Sequence, residues 1–191
     1  MLYVFEGPRN SGKTFLSNFI SEEFKIQRFQ FLFAQFFKDL KFPTQSKEAH
    51  AFALGKELMI MQIFNDLSFK SSGKNIDVIH DRGILTVLAW GIMEGRITEQ
   101  EMEDQVKMIK EYGLMENIEI IFIEGENVNE PQRIKDQWDH IDGDSRERQA
   151  YYKVISKFNE HKAGKIRVFD NKFDQNSLLR IKNLFKELTI N

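Results

Sequence analysis

The chain has 191 residues, a formal net charge of -2 and no cysteine, which is length enough for one domain with a real core but short for two. The missing thiols exclude a disulfide framework, a Cys-ligated zinc and a thiol nucleophile, and fit a reducing cytosol. The near-neutral charge excludes a surface that is basic throughout, so any patch facing nucleic acid must be local.

With 41% hydrophobic and 29% charged residues, neither disorder nor a membrane class is favoured. Apolar stretches are broken by charges well before a bilayer-spanning length, and the opening Met-Leu-Tyr-Val-Phe-Glu-Gly lacks the basic head of a signal peptide, so a cytoplasmic location is expected. The eighteen Phe mostly follow helix faces and read as core.

In chain order, Leu2 to Glu6 is a short apolar run closed by Gly7 and Pro8, which predicts a buried strand ending in a turn. From Lys13 to about Lys25, Phe15, Phe19, Ile20 and Phe24 recur at helical spacing. Residues 26–40 mix Arg28 and Gln30 with several Phe and predict a second strand running into a helix. Glu48 to Phe69 predicts a long helix ended by Ser71-Ser72-Gly73. A strand over Ile76 to His80 is closed by Asp81-Arg82-Gly83, and helices follow over Ile84 to Glu94 and Thr98 to Glu111, the second opened by the capping-box pattern Thr98-Glu99-Gln100-Glu101. Residues 118–123 form the next strand, a polar stretch over 126–148 carries Arg133, Arg146 and Arg148, and an amphipathic helix contains Tyr151, Tyr152, Val154, Ile155 and Phe158. Lys165 to Phe169 is the last strand and Leu178 to Leu188 the last helix. Strands alternating with helices demand parallel strands joined by right-handed crossovers, hence a three-layer α/β domain over 1–191.

Gly7-Pro-Arg-Asn-Ser-Gly-Lys-Thr14 completes the pattern Gly-x-x-x-x-Gly-Lys-Ser/Thr between a predicted strand and a predicted helix, where a phosphate loop has to sit. Amides from Asn10 through Ser11 and Gly12 to Thr14 can point inward at phosphates, with the positive end of the helix dipole behind them. Lys13 suits the terminal phosphates, and the Thr14 hydroxyl suits Mg²⁺.

Residues 3–14, with Phe5-Glu6-Gly7 leading into Gly12-Lys13-Thr14, resemble the opening of thymidylate kinases and the related deoxynucleoside kinases. Asp81-Arg82 resembles that family's acidic-arginine pair at a strand end, and residues 133–148 resemble its arginine-bearing lid, placed here at about 129–148. The resemblance implies a P-loop kinase fold with a parallel sheet of about five strands and helices on both faces. It implies ATP and Mg²⁺ as cofactors and a deoxynucleotide or deoxynucleoside as acceptor. ATP is then expected at Gly7, Asn10 to Thr14, Arg133 and Arg148. The acceptor falls to Arg9, Asp81 and Arg82, catalysis to Lys13, Asp81, Arg82 and Arg146, and Mg²⁺ to Thr14 and Asp81. A homodimer is compatible with this reading.

The residues argue the same way by themselves. Asp81 ends a strand beside the phosphate loop, where open α/β sheets place ligands, and can hold Mg²⁺ or take a hydroxyl proton. Arg82 next to it suits a phosphate by its bidentate fork, against the plainer reading of a salt bridge closing the strand. Arg146 and Arg148 lie about 200° apart on a helix, so one of the two is expected to face the nucleotide. Gln62 interrupts the apolar face between Met61 and Ile63 and is the candidate for reading an acceptor base, with Phe52, Phe64 or Trp90 for stacking, though each suits the core as well.

Three departures widen the acceptor. The loop lacks the acidic residue that in thymidylate kinases contacts the acceptor's 3′-hydroxyl, Gly83 stands after Asp-Arg, and no basic-acidic-proline stretch follows the second strand. A polynucleotide or modified-base DNA kinase is therefore an alternative, with nucleic acid as substrate. Asn171-Lys172-Phe173-Asp174 spells the guanine-reading pattern of GTPases without their Asp-x-x-Gly switch, and an ATPase module is disfavoured because Arg82 replaces the second acid that would activate water. His80 reads as a packed core histidine, and Trp138-Asp139-His140 with Asp142 and Asp144 as a solvated loop to which no metal is assigned.

Overall fold

A computed structural model of the chain describes residues 1–30, 46–70, 77–125 and 143–189. The expected helix beyond residue 30, Ser71 to Gly73, Arg133, most of the lid and His140 fall outside these residues.

Five strands form one all-parallel sheet: β1 (Leu2–Glu6), β2 (Gln27–Gln30), β3 (Val78–Asp81), β4 (Ile118–Glu124) and β5 (Lys165–Asp170), in the spatial order β2-β3-β1-β4-β5. The helices are α1 (Lys13–Phe24), α2 (Lys47–Lys70), α3 (Ile84–Met93), α4 (Glu99–Glu111), α5 (Gly143–His161) and α6 (Gln175–Thr189). Strand β1 is buried along its whole length and β4 almost so, as central parallel strands covered on both faces must be.

Alternate residues of these strands feed two cores. Leu2, Val4, Ile118, Ile120 and Phe122 pack under α2 to α5, while Tyr3, Phe5, Ile79, Ile121 and Ile123 pack under α1 and α6 through Leu16, Ile20, Ile181 and Phe185. Phe185 is fully buried, with its ring 4.5 Å from that of Tyr3, and truncating it to Ala costs about 3–5 kcal/mol. The capping box of α4 is formed: Glu101 N donates to Thr98 Oγ1 at 3.1 Å and Thr98 N to Glu101 Oε2 at 2.7 Å.

The register decides where function lies. Phe5 pairs with Asp81, and Gln30 also pairs with Asp81, so the carboxyl ends of β1, β2 and β3 come level. From β1 the chain moves to β2 and β3 on one side and then crosses to β4 and β5 on the other. The crevice where the direction reverses lies above β1, directly after which comes the glycine loop.

Candidate active site

Residues 7–12 turn from β1 into α1. Gly7 has φ +144°, and a Cβ there would stand 2.4 Å from the Ile123 carbonyl oxygen; Gly12 has φ +83°, and a Cβ there would stand 2.4 Å from Asn171 Nδ2. Neither position admits a side chain, so the loop keeps the close approach of backbone that a phosphate cradle needs. Asn10 is left-handed as well, at φ 61°. Ser11 is buried, and its hydroxyl has no hydrogen-bond partner among the described residues.

Lys13 curls back over this loop and donates from Nζ to the Pro8 carbonyl at 2.7 Å, buried to 3% exposure. Burial, and then the neighbouring Arg82 charge, bring its pKa down to about 7, against the pull of Glu147, Asp81 and Glu6. A buried ammonium bonded to a carbonyl rather than a carboxylate, with burial already depressing its basicity, gains from a bound anion.

Next to it, Asp81 is fully buried, with one carboxylate oxygen bonded to Arg28 and the other, Oδ1, without a partner among the described residues. Arg28 comes from β2 and donates a second bond, from Nε to Ser17 Oγ of α1 at 2.9 Å. Sequence reasoning passed over Arg28; its place on the strand paired with β3 was the signal that could have found it. Arg82 is left-handed, at φ 70°, with its amide on the Phe5 carbonyl at 3.0 Å. Its guanidinium lies over Trp90, 5.5 Å from the ring centroid, and NH1 is buried without a hydrogen-bond partner among the described residues.

Glu6, the last residue of β1, holds this turn in place. Its Oε1 accepts the amides of Gly83 at 2.9 Å, Leu85 at 2.8 Å and Thr86 at 3.3 Å, and its Oε2 accepts the Thr86 hydroxyl, which also pairs with the Tyr151 hydroxyl at 2.7 Å. A carboxylate thus caps the positive end of α3, which has no side-chain cap of its own. Burial raises the pKa of Glu6 even though the Thr86 bonds oppose the shift.

From α5, Glu147 is buried and joins the loop to α3: Oε2 accepts Arg9 N at 3.0 Å and Oε1 accepts Trp90 Nε1 at 2.9 Å. The Arg9 guanidinium also lies over Trp90, at 5.3 Å. Trp90 is therefore neither plain core nor a free stacking platform, since both guanidiniums lie against its ring. Sequence reasoning attended to Arg146 and Arg148 and missed the Glu between them.

Those two arginines diverge as the helix geometry requires. Arg148 donates to the Gly125 carbonyl at 2.7 Å, on the β4 side of the glycine loop. Arg146 is exposed and donates to the Met93 carbonyl at 3.2 Å, beside a surface pocket of about 360 Å³ lined also by Ile97 and Lys153. This arrangement does not bring Arg146 to the loop as its expected catalytic role requires, because it leaves α5 on the α3 side.

Gln62 lies elsewhere in this structure. It is exposed and donates to Asp66 Oδ1 at 3.0 Å on its own helix. Helix α2 runs away from the site: Glu57 faces His80 near the carboxyl end of β3, while Asn65, eight residues or about 12 Å on, bonds the Gly113 carbonyl ahead of β4. Phe52 is exposed and Phe64 packs against the core. His80 is a packed residue, stacked 4.2 Å from Phe29, with Nε2 at 3.3 Å from the Glu57 carboxylate.

At the end of β5, Asn171 is buried and its Nδ2 donates to the Ser11 carbonyl at 2.9 Å. Asp174 opens α6, its Oδ1 accepting Ser177 N at 2.7 Å and Ser177 Oγ at 2.8 Å.

The residues fit a Mg²⁺-bound triphosphate. The glycine cradle, the orphaned Ser11 hydroxyl and Lys13 suit phosphate oxygens, and Asp81 Oδ1 with the exposed Thr14 offers the hard oxygen donors that Mg²⁺ takes.

No family model and no curated protein matches the sequence. Solved structures do. Thymidylate kinase from Ehrlichia chaffeensis is similar at TM-score 0.58 and 18% identity, covering 99% of this chain and 98% of that one. Thymidylate kinase from Candida albicans is similar at 0.55 and 15%, covering 98% and 89%. Deoxyadenosine kinase from M. mycoides is similar at 0.53 and 14%, covering all of both chains. The glycine loop at the reversal point of a five-stranded parallel sheet and the likeness over full length agree: the chain has the three-layer P-loop kinase fold of the thymidylate and deoxynucleoside kinases.

Proposed function

We propose that the protein is a phosphotransferase that moves the γ-phosphoryl of a Mg²⁺-bound nucleoside triphosphate, ATP being what the resemblance implies, to a nucleotide or nucleoside held beside Asp81 and Arg82. The observation that carries this is Lys13: a buried ammonium inside a glycine-built loop, depressed in basicity and bonded to a carbonyl, gains most from a polyanion. When bound, Mg²⁺ neutralises charge on the phosphate oxygens.

The protein's part is positioning and charge stabilisation. The amides of the loop and the Lys13 ammonium would hold the polyphosphate, and Thr14 with Asp81 Oδ1 would hold the metal. Arg82, with an uncommitted NH1, faces charge on the acceptor side. Glu6 fixes where Arg82 stands, since it anchors the amides immediately after it.

The test is a labelled-phosphate transfer screen over deoxynucleosides, their monophosphates and oligonucleotides. Transfer to a free nucleotide or nucleoside is expected, and labelling of oligonucleotides alone would overturn that acceptor class. Lys13→Ala should abolish transfer and leave the melting temperature close to the wild type; retained activity would contradict the scheme.

A further inference from the structure

We propose that the turn Asn171 to Asp174 reads guanine, so that the donor is a guanine nucleotide; this rests on the phosphotransferase reading above and departs from the ATP that the resemblance implies. Three observations place the turn at the donor's nucleoside. Asn171 binds the Ser11 carbonyl of the phosphate loop through Nδ2 and the Glu124 carbonyl through its own amide, at 2.9 and 2.6 Å. A Cβ on Gly12 would meet the Phe173 ring at 3.1 Å, so the turn is pressed against the last glycine of the loop. In-line transfer puts donor and acceptor on opposite sides of the phosphorus. With the acceptor residues Asp81 and Arg82 on the β3 side, the donor's nucleoside leaves on the other, the side of β4 and β5 that ends in this turn.

The turn has the chemistry of a base reader. Phe173 is a non-glycine residue at φ 56°, held there by its amide on Asn171 Oδ1 at 3.0 Å, and its ring is 40% exposed at the loop's edge. Strained backbone of this kind persists where the surroundings enforce it, and it collects at ligand clamps. Arg148, on the Gly125 carbonyl, borders the same edge. Asp174 is exposed and spends Oδ1 on Ser177, and its second oxygen accepts no hydrogen bond from another side chain among the described residues. An ionised carboxylate only accepts. Guanine alone among the common bases presents two adjacent donors, N1–H and the 2-amino group, whereas adenine's edge pairs one donor with a lone pair that a carboxylate repels. Helix capping accounts for one oxygen of Asp174 but not for a strained, exposed aromatic beside the phosphate loop.

The test is titration of the purified chain with fluorescent GDP and ADP in the presence of Mg²⁺, for the wild type and Asp174→Asn. Asn keeps an oxygen for Ser177, so the cap and the melting temperature should hold. The wild type should bind GDP at least about tenfold tighter than ADP. Asp174→Asn should lose about 10- to 100-fold of GDP affinity, the worth of a charge-assisted pair, keep ADP within about twofold, and gain affinity for xanthosine diphosphate, whose 2-position is a carbonyl. ADP binding as tightly as GDP, or a variant that weakens both alike, would overturn the guanine assignment while leaving the phosphotransferase reading intact. Failure of the wild type to bind either nucleotide would remove both.

Discussion

Glu6 and Asp81 end adjacent strands, and both are fully buried carboxylates, yet their surroundings differ in one respect. Both oxygens of Glu6 meet donors: three amides of the α3 terminus on one and the Thr86 hydroxyl on the other. Asp81 is half spent, one oxygen on Arg28 and the other on nothing. A saturated buried carboxylate is scaffold, because removing it orphans the groups it serves. A buried carboxylate with an open oxygen is costly unless something else is meant to bind it. The same contrast runs through the whole site: Glu147 is committed to Arg9 and Trp90, whereas Ser11 Oγ and Arg82 NH1 are left open. Two of the open groups, Asp81 Oδ1 and Arg82 NH1, belong to residues whose charges act on Lys13.

Substitutions can break or sharpen this contrast. The largest effect belongs to Asp81→Asn, which keeps an acceptor for Arg28 but loses the charge; kcat should fall on the order of 10²- to 10³-fold, as for loss of one preorganised electrostatic group, with the melting temperature shifted by a few degrees at most. A protein that unfolds instead would make Asp81 scaffold too. Glu6→Ala should do the reverse and cost about 2–4 kcal/mol in urea unfolding, since it strands several buried donors.

The pH dependence of Glu6 carries a definite sign. Burial raises its pKa, so the folded state holds the proton more tightly than the unfolded state between the ordinary glutamate value and the raised one. Its contribution to stability is therefore full in acid and is lost as pH rises through that window. Measured against Glu6→Gln, the wild type should gain stability on acidification from pH 8 to pH 5; a pH-independent difference would show that Glu6 is not perturbed.

Arg82→Ala should raise the acceptor's KM or lower kcat by about 10- to 100-fold with little change in nucleotide affinity, and a defect confined to nucleotide binding would remove its acceptor role. The smallest effect is expected at Arg146→Ala, within about twofold, because its guanidinium rests on the Met93 carbonyl. A loss matching that of Asp81→Asn would restore the catalytic role read from the sequence.

Much of the frame was legible in the sequence because it is local. Strand β1, the glycine loop, α1 and the capping box of Thr98 depend on residues a few positions apart, and they stand where spacing placed them. Gln62 was misread because an apolar run such as Met61 to Phe64 does not say which side of the helix is covered; Met61 is buried, while Gln62 and Ile63 are exposed. Arg28 and Glu147 escaped because their meaning comes from contacts 53 and 138 positions away in the chain. Charged residues without a motif acquire a role only when the sheet order brings their partners beside them.

Every role assigned here depends on the loop between Gly7 and Thr14 closing on a polyphosphate with Lys13 inside it. Isothermal calorimetry with millimolar Mg²⁺ tests this most directly. Saturable one-to-one binding of a nucleoside triphosphate is expected, weakened at least about 100-fold by Lys13→Ala at unchanged fold. Equal affinity in the variant, or no binding by the wild type to any triphosphate, would contradict it.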